Sequence, residues 1–396
     1  MARLARLLRR LIYGRSPTSA PLRSRSLPQA VVDDMLRMMT LSDAEAMRDQ
    51  VLKFEAEFAL TMDVRHALGV DSGTSALFFA LNAVGVQPGD EVITVANTFV
   101  ATVTAIREAG AVCRFVDIDP RTGVMDVDCL AQALNERTRA VIPVHMYGQP
   151  VDMPAVMSLC RPRNIPVIED ACQGIGARMA GKPVGTFGDI GCFSFHVNKL
   201  VGAPADGGML ITNDDKVARL LRAQCECDWR RALTDPQPRV PSRLPALSLP
   251  LLRARLRALD GLVQARQAQH GFYERAFQGV PDAWVLKPPD GGVSSYRSAV
   301  LVSKRIEVAR KTLKSLGWEP RPMYIPSADF IGALVDDGLC RLPATHDFAQ
   351  NHLLLPMGPS LSDAELARVA ARLREALMAG SGGGTVTSEE FKVRRA

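Results

Sequence analysis

From Gly69 to Asn213 the chain repeats one exchange, a short and continuously apolar run followed by a longer stretch with helical spacing. The runs are EVITV (91–95), VCRFVDI (112–118), AVIPVH (140–145), IPVIED (165–170), GCFSF (191–195) and GGMLIT (207–212), separated mostly by 15–20 residues. A strand that is apolar on both faces must be covered on both, and parallel neighbours need a crossover long enough to hold a helix. The pattern predicts an α/β fold: a large three-layer αβα domain around a mostly parallel, doubly wound sheet. Helices are expected over 74–84, 98–109, 127–136 and 152–160. Another is expected over 43–60, where Met47, Val51, Phe54 and Phe58 recur at helical spacing.

Five prolines (Pro236, Pro238, Pro241, Pro245, Pro250) break the rhythm between 229 and 252 and mark a loop or an interrupted helix. Leu251 to Phe277 regains helical character and leads out of the large domain. A strand over 295–303 and helices over 305–316 and 362–378 predict a smaller C-terminal α/β domain. The expected division is a basic leader and linker (1–28), a large domain (29–255), a small domain (256–379) and a flexible Gly-rich tail (380–396). That agrees with a length of 396 residues at about 150 per domain.

The net charge of +6 sits at one end, since residues 1–30 hold seven arginines and no acid. The remaining body is nearly neutral, which argues against nucleic acid as a partner. Within the leader, Leu4, Leu7, Leu8 and Leu11 share one helical face bordered by Arg3, Arg6 and Arg10. Residues 1–13 are thus either a peripheral contact for an anionic membrane surface or a frayed basic arm. No apolar run reaches the roughly 20 residues that span a bilayer, and no signal peptide is legible, so a cytoplasmic location is expected. Eight cysteines are too sparse for a disulfide scaffold. The five in the first half read as small core residues. Cys225-Glu226-Cys227 lacks the second pair that a zinc site would need, and no metal is expected.

Four features point to a phosphate-bearing, ring-shaped electrophile. Ser72-Gly73-Thr74 precedes an Ala/Leu-rich helix and presents hydroxyls and N–H groups suited to a phosphate, or simply caps the helix. Asp170 follows an apolar strand, where open α/β sheets bind ligands, and can hold a proton on a pyridine nitrogen; Gln173, on the same side, can donate to a ring substituent. Ser194 and Lys199 bring a hydroxyl and an amine to the same crevice, and a lysine beside an electron-poor ring loses its proton readily. Phe99 is placed to cover one ring face, or else to fill core.

The chain resembles the DegT/DnrJ/EryC1/StrS sugar aminotransferases, enzymes of pyridoxal 5'-phosphate with the aspartate aminotransferase fold (fold type I). The resemblance runs from about 54 to 375 and rests on SGTSAL (72–77), PGDEVITVANTFVATVTAI (88–106), VIPVHMYGQPVDM (141–153), VIEDACQGIGA (167–177), GDIGCFSFHVNKLVGAPADGG (188–208) and LPMGPSLSDAEL (355–366). It implies that Lys199 is the Schiff-base lysine, that Asp170 pairs with the pyridine nitrogen and Gln173 with the phenolic oxygen, and that Phe99 stacks on the ring. Gly73, Thr74 and Ser194 would hold the phosphate. Lysine at 199, where relatives that remove a hydroxyl carry histidine, favours transamination. The implied reaction moves an amino group from an amino acid, glutamate by resemblance, to a keto sugar or cyclitol, in a homodimer. The competing readings are a non-catalytic binder of the cofactor with a structural or regulatory role, and elimination chemistry on the same fold. Three features depart from the family pattern, the first being the Trp/Gly-rich entry loop, which is absent between Met38 and Lys53. RVPSRL (239–244) puts Pro241 where an asparagine reaches the neighbouring subunit's phosphate. Either Arg243 takes over that role, or Arg243 faces solvent and the phosphate is held within one subunit. SSYRSAVLV and PMYIPS replace the histidine-rich segment that lines the sugar site.

Overall fold

Strand β1 (His66–Val70) precedes the first predicted run and was not anticipated, because HALGV is too mixed to stand out. The computed structural model describes residues 28–40, 43–226, 241–320, 341–359 and 361–379. The leader, most of the proline-rich segment, PMYIPS, Cys227, Cys340 and the Gly-rich tail lie outside them. The other large-domain strands are β2 (Glu91–Val95), β3 (Val112–Val116), β4 (Thr138–Val141), β5 (Ile168–Asp170), the short hairpin β6 (Arg178–Met179) and β7 (Lys182–Pro183), β8 (Ile190–Ser194) and β9 (Gly208–Thr212). β3 ends at Val116 rather than 118, and β4 and β5 are shorter than expected for one reason. Pro143 and Pro166 have no N–H to give a ladder, so β4 stops at Val141 and β5 starts at Ile168.

The strands pair as β3-β2-β4 and as β5-β8-β9-β1. Parallel bridges Val141–Val167 and Val144–Asp170 join the two groups into one wide sheet. Strand β9 runs against both its neighbours, while the other pairs within this wide sheet are parallel. The expected mostly parallel sheet is therefore present. Its helices include Ala44–Met62, Gly73–Ala83, Val100–Glu108, Val127–Ala133 and Met153–Cys160. The third of the crossover helices ends at Ala133 rather than 136, where Leu134 turns extended (ψ 128). Phe54 and Phe58 of the first helix are fully buried and meet Phe193 and Phe195 edge-on at 5.3–5.8 Å.

The expected continuous helix from Leu251 to Phe277 is two helices, Leu249–Arg257 and Leu259–Phe277, because Ala258 (φ −92, ψ 4) leaves the helical well. Leu259 and Val263 pack into the core around Phe54 and Phe193, whereas Tyr273 and Phe277 pack into a second core. That second core covers an antiparallel sheet of β10 (Ala283–Val285), β12 (Ala299–Ser303) and β13 (His352–Leu355) with the helices Ile306–Ser315 and Asp363–Met378. A two-residue strand β11 (Gly292–Val293) returns to pair with β6. Buried Asp117, just beyond β3, accepts from Ala344 N (2.8 Å), Thr345 N (2.7 Å) and Thr345 Oγ1 (2.6 Å), which ties the large sheet to the helix Pro343–Asn351. Among the described residues no helix is long and apolar enough to cross a membrane.

Candidate active site

Strands β5 and β8 are parallel, so Asp170 and Ser194 emerge at the same edge of the sheet. β9 begins at that edge with Gly208, opposite Val70 at the end of β1. The chain leaves β1 through Asp71-Ser72 into the helix Gly73–Ala83, aiming that helix's N-terminus at the place where the strand ends converge. A crevice of about 270 Å³ opens there. Seven of the eight expected site residues line it: Gly73, Thr74, Phe99, Asp170, Gln173, Ser194 and Lys199. Arg243 does not; it is exposed, between Ser242, whose Oγ accepts from Asp71 N (3.0 Å), and buried Leu244.

At the helix N-terminus Ser72 is the cap, its Oγ accepting from Ser75 N at 3.1 Å. The first intrahelical bond runs from Ala76 N to Ser72 O, so the N–H groups of Gly73 and Thr74 precede the ladder and are available to an anion. Gly73 has no space for a side chain. A Cβ there would come within 2.7 Å of Cys172 Sγ and 2.8 Å of Ser194 Cβ.

Asp170 and Glu169 are neighbours on β5 and point to opposite faces. Glu169 is fully buried and satisfied by Gly185 N, Phe187 N and Gly188 N, each at 2.7 Å, and by His145 Nε2 at 3.0 Å. His145 Nδ1 accepts from Val151 N (3.1 Å), which puts the ring proton on Nε2. Asp170, on the crevice side, accepts from Thr102 Oγ1 at Oδ2 (2.7 Å) and from Cys172 N at Oδ1 (3.1 Å). Thr98 and Thr102 hydroxyls are 2.7 Å apart, extending the chain of hydrogen bonds. Bonds to a charged group contribute about 1.5–3 kcal/mol each, enough to hold a carboxylate in one orientation. Gln173 Oε1 accepts from Tyr147 N (3.3 Å), and its Nε2 lies 3.1 Å from Met146 Sδ.

Lys199 reaches the crevice from the turn after β8, half-buried. Desolvation and the nearby Arg297 guanidinium pull its ammonium down to about 8, against smaller opposing pulls from Cys172 and Asp170. Roughly a tenth is then free amine at pH 7, far more than an ordinary lysine offers to a carbonyl. Phe99, 41% exposed at the start of the helix Val100–Glu108, lies at the mouth and not in the core.

Sequence reasoning missed Thr98, Thr102 and Arg297 as lining residues. Thr102 was legible as a hydroxyl one turn into the helix that follows Phe99; the signal for Arg297 was its place in SSYRSAVLV, at the segment expected to line the sugar site. The cysteine reading needs correction. Cys172 lines the crevice, and Cys113 and Cys129 are half-buried, leaving Cys160 and Cys192 as the core cysteines of the first half. Cys172 follows Asp170 by two residues, so the turn that positions the carboxylate also delivers the thiol.

Fold and crevice together define a pyridoxal-phosphate-dependent aminotransferase of fold type I. The chain belongs to the DegT/DnrJ/EryC1/StrS aminotransferase family, whose model matches residues 30–374. It is 35% identical over 324 residues to a UDP-N-acetyl-3-dehydro-α-D-glucosamine 3-aminotransferase of Acidithiobacillus ferrooxidans, covering 82% of this chain and 87% of the relative. It is also 35% identical to a dTDP-3-amino-3,4,6-trideoxy-α-D-glucose transaminase of Micromonospora megalomicea subsp. nigra, covering 88% and 95%. Among solved structures, that of DesV from S. venezuelae with a ketimine intermediate superposes with a TM-score of 0.80 at 30% identity, covering 88% of this chain and 94% of that one. The residues present fit the cofactor. Gly73 is excluded from bearing a side chain at a helix N-terminus, and a doubly anchored carboxylate and a deprotonatable lysine share the same crevice.

Proposed function

We propose that this aminotransferase moves an amino group from glutamate to a keto sugar, most simply a nucleotide-linked one. The observation that carries the reading is Lys199, its ammonium pulled down to about 8, in one crevice with the anchored carboxylate of Asp170. Pyridoxal phosphate, when bound, supplies the electron sink for the carbanion chemistry. The N–H groups of Gly73 and Thr74, with Ser194 Oγ, hold its phosphate. Asp170 keeps a proton on the ring nitrogen, and Thr102 and Cys172 N keep Asp170 in place. Lys199 is the covalent attachment point. The Lys199 amine, when free, would be placed to accept a proton from the donor's Cα and to give one back, as base and then acid. Phe99 and Gln173, which line the same crevice, would border the ring. At about 270 Å³ the crevice lies near the lower end of small-molecule sites, roughly 300–1,000 Å³, so a nucleotide must extend beyond it.

The same reading has the enzyme act as a homodimer in which Arg243, exposed in one protomer, reaches the partner's cofactor phosphate in place of the asparagine that Pro241 displaces. The six described cysteines are free, which suits the reducing cytoplasm. Absorbance of the purified protein tests the core of the proposal. The visible band of bound cofactor should disappear on adding glutamate, and borohydride should fix the cofactor to Lys199. A protein whose band ignores glutamate, or whose adduct maps to another lysine, is not this enzyme.

A further inference from the structure

Lys199 lies on a loop between β8 and β9, so no helix or sheet ladder fixes the direction in which its amine leaves. The loop is closed at its base, where Phe195 N donates to Gly207 O (2.7 Å) and Ala203 N to Phe195 O (2.9 Å). Within it Lys199 N donates to His196 O (2.8 Å). Gly202 folds back so tightly that a Cβ there would run into His196 O and come within 3.1 Å of Lys199 O. Leu200, Val201 and Ala203 are buried in the core that also holds Leu251, Leu252 and Leu256 of the helix Leu249–Arg257. Apolar burial sets how deep the loop sits. It is non-directional, and leaves the loop free to rock on that contact.

The same helix supplies the direction. Arg255, only 8% exposed, does not line the crevice; its Nη1 donates to the carbonyl of Gly202, three residues past Lys199. A hydrogen bond from a charged donor is both directional and stronger than a neutral one, so it holds a carbonyl where packing alone would not. We propose that Arg255 is a positioning residue for Lys199, fixing through Gly202 O the turn from which the amine reaches the cofactor's aldehyde. In that attachment Lys199 Nζ bonds the aldehyde carbon, and the carbonyl oxygen leaves as water with the two amine hydrogens. Once the phosphate is seated the step is intramolecular. Its success depends on where the amine starts, and a displacement of about 1 Å costs up to about a hundredfold. The N–H groups of Gly73 and Thr74 belong to a different turn, so holding the phosphate does not depend on Arg255. The inference rests on the aminotransferase reading and deepens it.

Two compounds separate attachment from binding. Pyridoxal 5'-phosphate carries the aldehyde, whereas pyridoxine 5'-phosphate carries an alcohol in its place and is held by phosphate and ring contacts alone. Affinities of the apoenzyme for both are read by fluorescence titration in wild type, Arg255→Met and Arg255→Lys, after thermal melting has shown which variants are folded. Wild type should prefer the aldehyde. Arg255→Met, close in length but with no donor, should lose at least about tenfold of that preference, while its affinity for pyridoxine 5'-phosphate stays within about threefold of wild type. Arg255→Lys keeps the stem and the charge, so it carries the test where the apolar variant does not fold, and should lose about threefold. A merely structural role would weaken both compounds alike. Equal losses for the two compounds, or a preference intact in the folded variants, overturns the proposal. A wild type with no preference removes attachment at Lys199 and the aminotransferase reading with it; a wild-type preference that Arg255→Met retains in full removes only the role of Arg255.

Discussion

The crevice has two walls, built by different means. One is made where secondary structure ends: Asp170 and Ser194 at strand termini, Gly73 and Thr74 at a helix N-terminus, Lys199 a few residues past β8. Its geometry follows from regular hydrogen bonding, and its positions are those at which any open α/β sheet presents ligands. The other is an irregular turn bearing Arg297, held by a left-handed tyrosine, a ring stack and the carbonyls of a loop about 150 residues earlier in the chain. The first wall holds the residues to which the proposed chemistry is assigned. The second holds none of the residues proposed to bind the cofactor, and it borders the crevice through Arg297.

The comparison makes the first wall the more costly to damage. Lys199→Ala should lower the glutamate-driven half-reaction, followed by absorbance, at least about 10⁴-fold, since it removes both attachment and proton transfer. Its melting temperature should stay close to wild type, because the side chain supports no core. Asp170→Asn should retain cofactor through the phosphate contacts but lose at least about a hundredfold in rate. A rate within about threefold of wild type would mean that the carboxylate faces something other than the ring.

The walls also communicate. Arg297 helps to pull Lys199 down to about 8, so Arg297→Ala should raise that value, because removing a neighbouring cation favours the ammonium. The free amine at pH 7 then falls about tenfold for each unit of rise. Uptake of pyridoxal phosphate by apoenzyme, timed by absorbance across pH 6–10, should shift to higher pH in the variant. An unmoved profile would separate the two walls electrostatically.

Arg243 belongs to neither wall within one protomer. Arg243→Ala should weaken cofactor retention about tenfold, or 1.4 kcal/mol, by fluorescence titration after dialysis, without changing the oligomeric state. Unchanged affinity in a dimeric variant would leave the phosphate to Gly73, Thr74 and Ser194. A monomeric wild type would remove the shared site altogether. The smallest effect is expected from deleting residues 1–26. Transamination should change by less than about twofold, while co-sedimentation with anionic liposomes at low salt should be lost.

Most of the first wall was legible because period and position coincide. Continuously apolar runs marked the strands, and the residue at the end of each run was a candidate for the crevice. Errors fell where backbone chemistry overrode pattern. Pro143 and Pro166 shortened two strands, and the conformation of Ala258 split a helix that looks continuous by composition. HALGV went unseen because β1 gains its place by pairing with β9, a partner about 140 residues away. Glu169 and His145 were passed over because a buried carboxylate satisfied by three backbone N–H groups and an imidazole has no signature in one dimension.

By itself the sequence determined the three-layer fold and picked out seven residues that line one crevice. Hydrophobic periodicity dictates which segments must be covered, and strand ends are where ligand groups collect. Tertiary structure alone decided that Arg297 faces Lys199, that Thr102 and the Cys172 N–H anchor Asp170, and that Phe99 lies at the mouth rather than in the core. Those outcomes depend on close approaches between distant segments, such as Gly148 against residues 295–297, and on the direction in which a side chain leaves a strained turn. No local pattern encodes them, because each is set by packing between residues that the chain brings together only once folded.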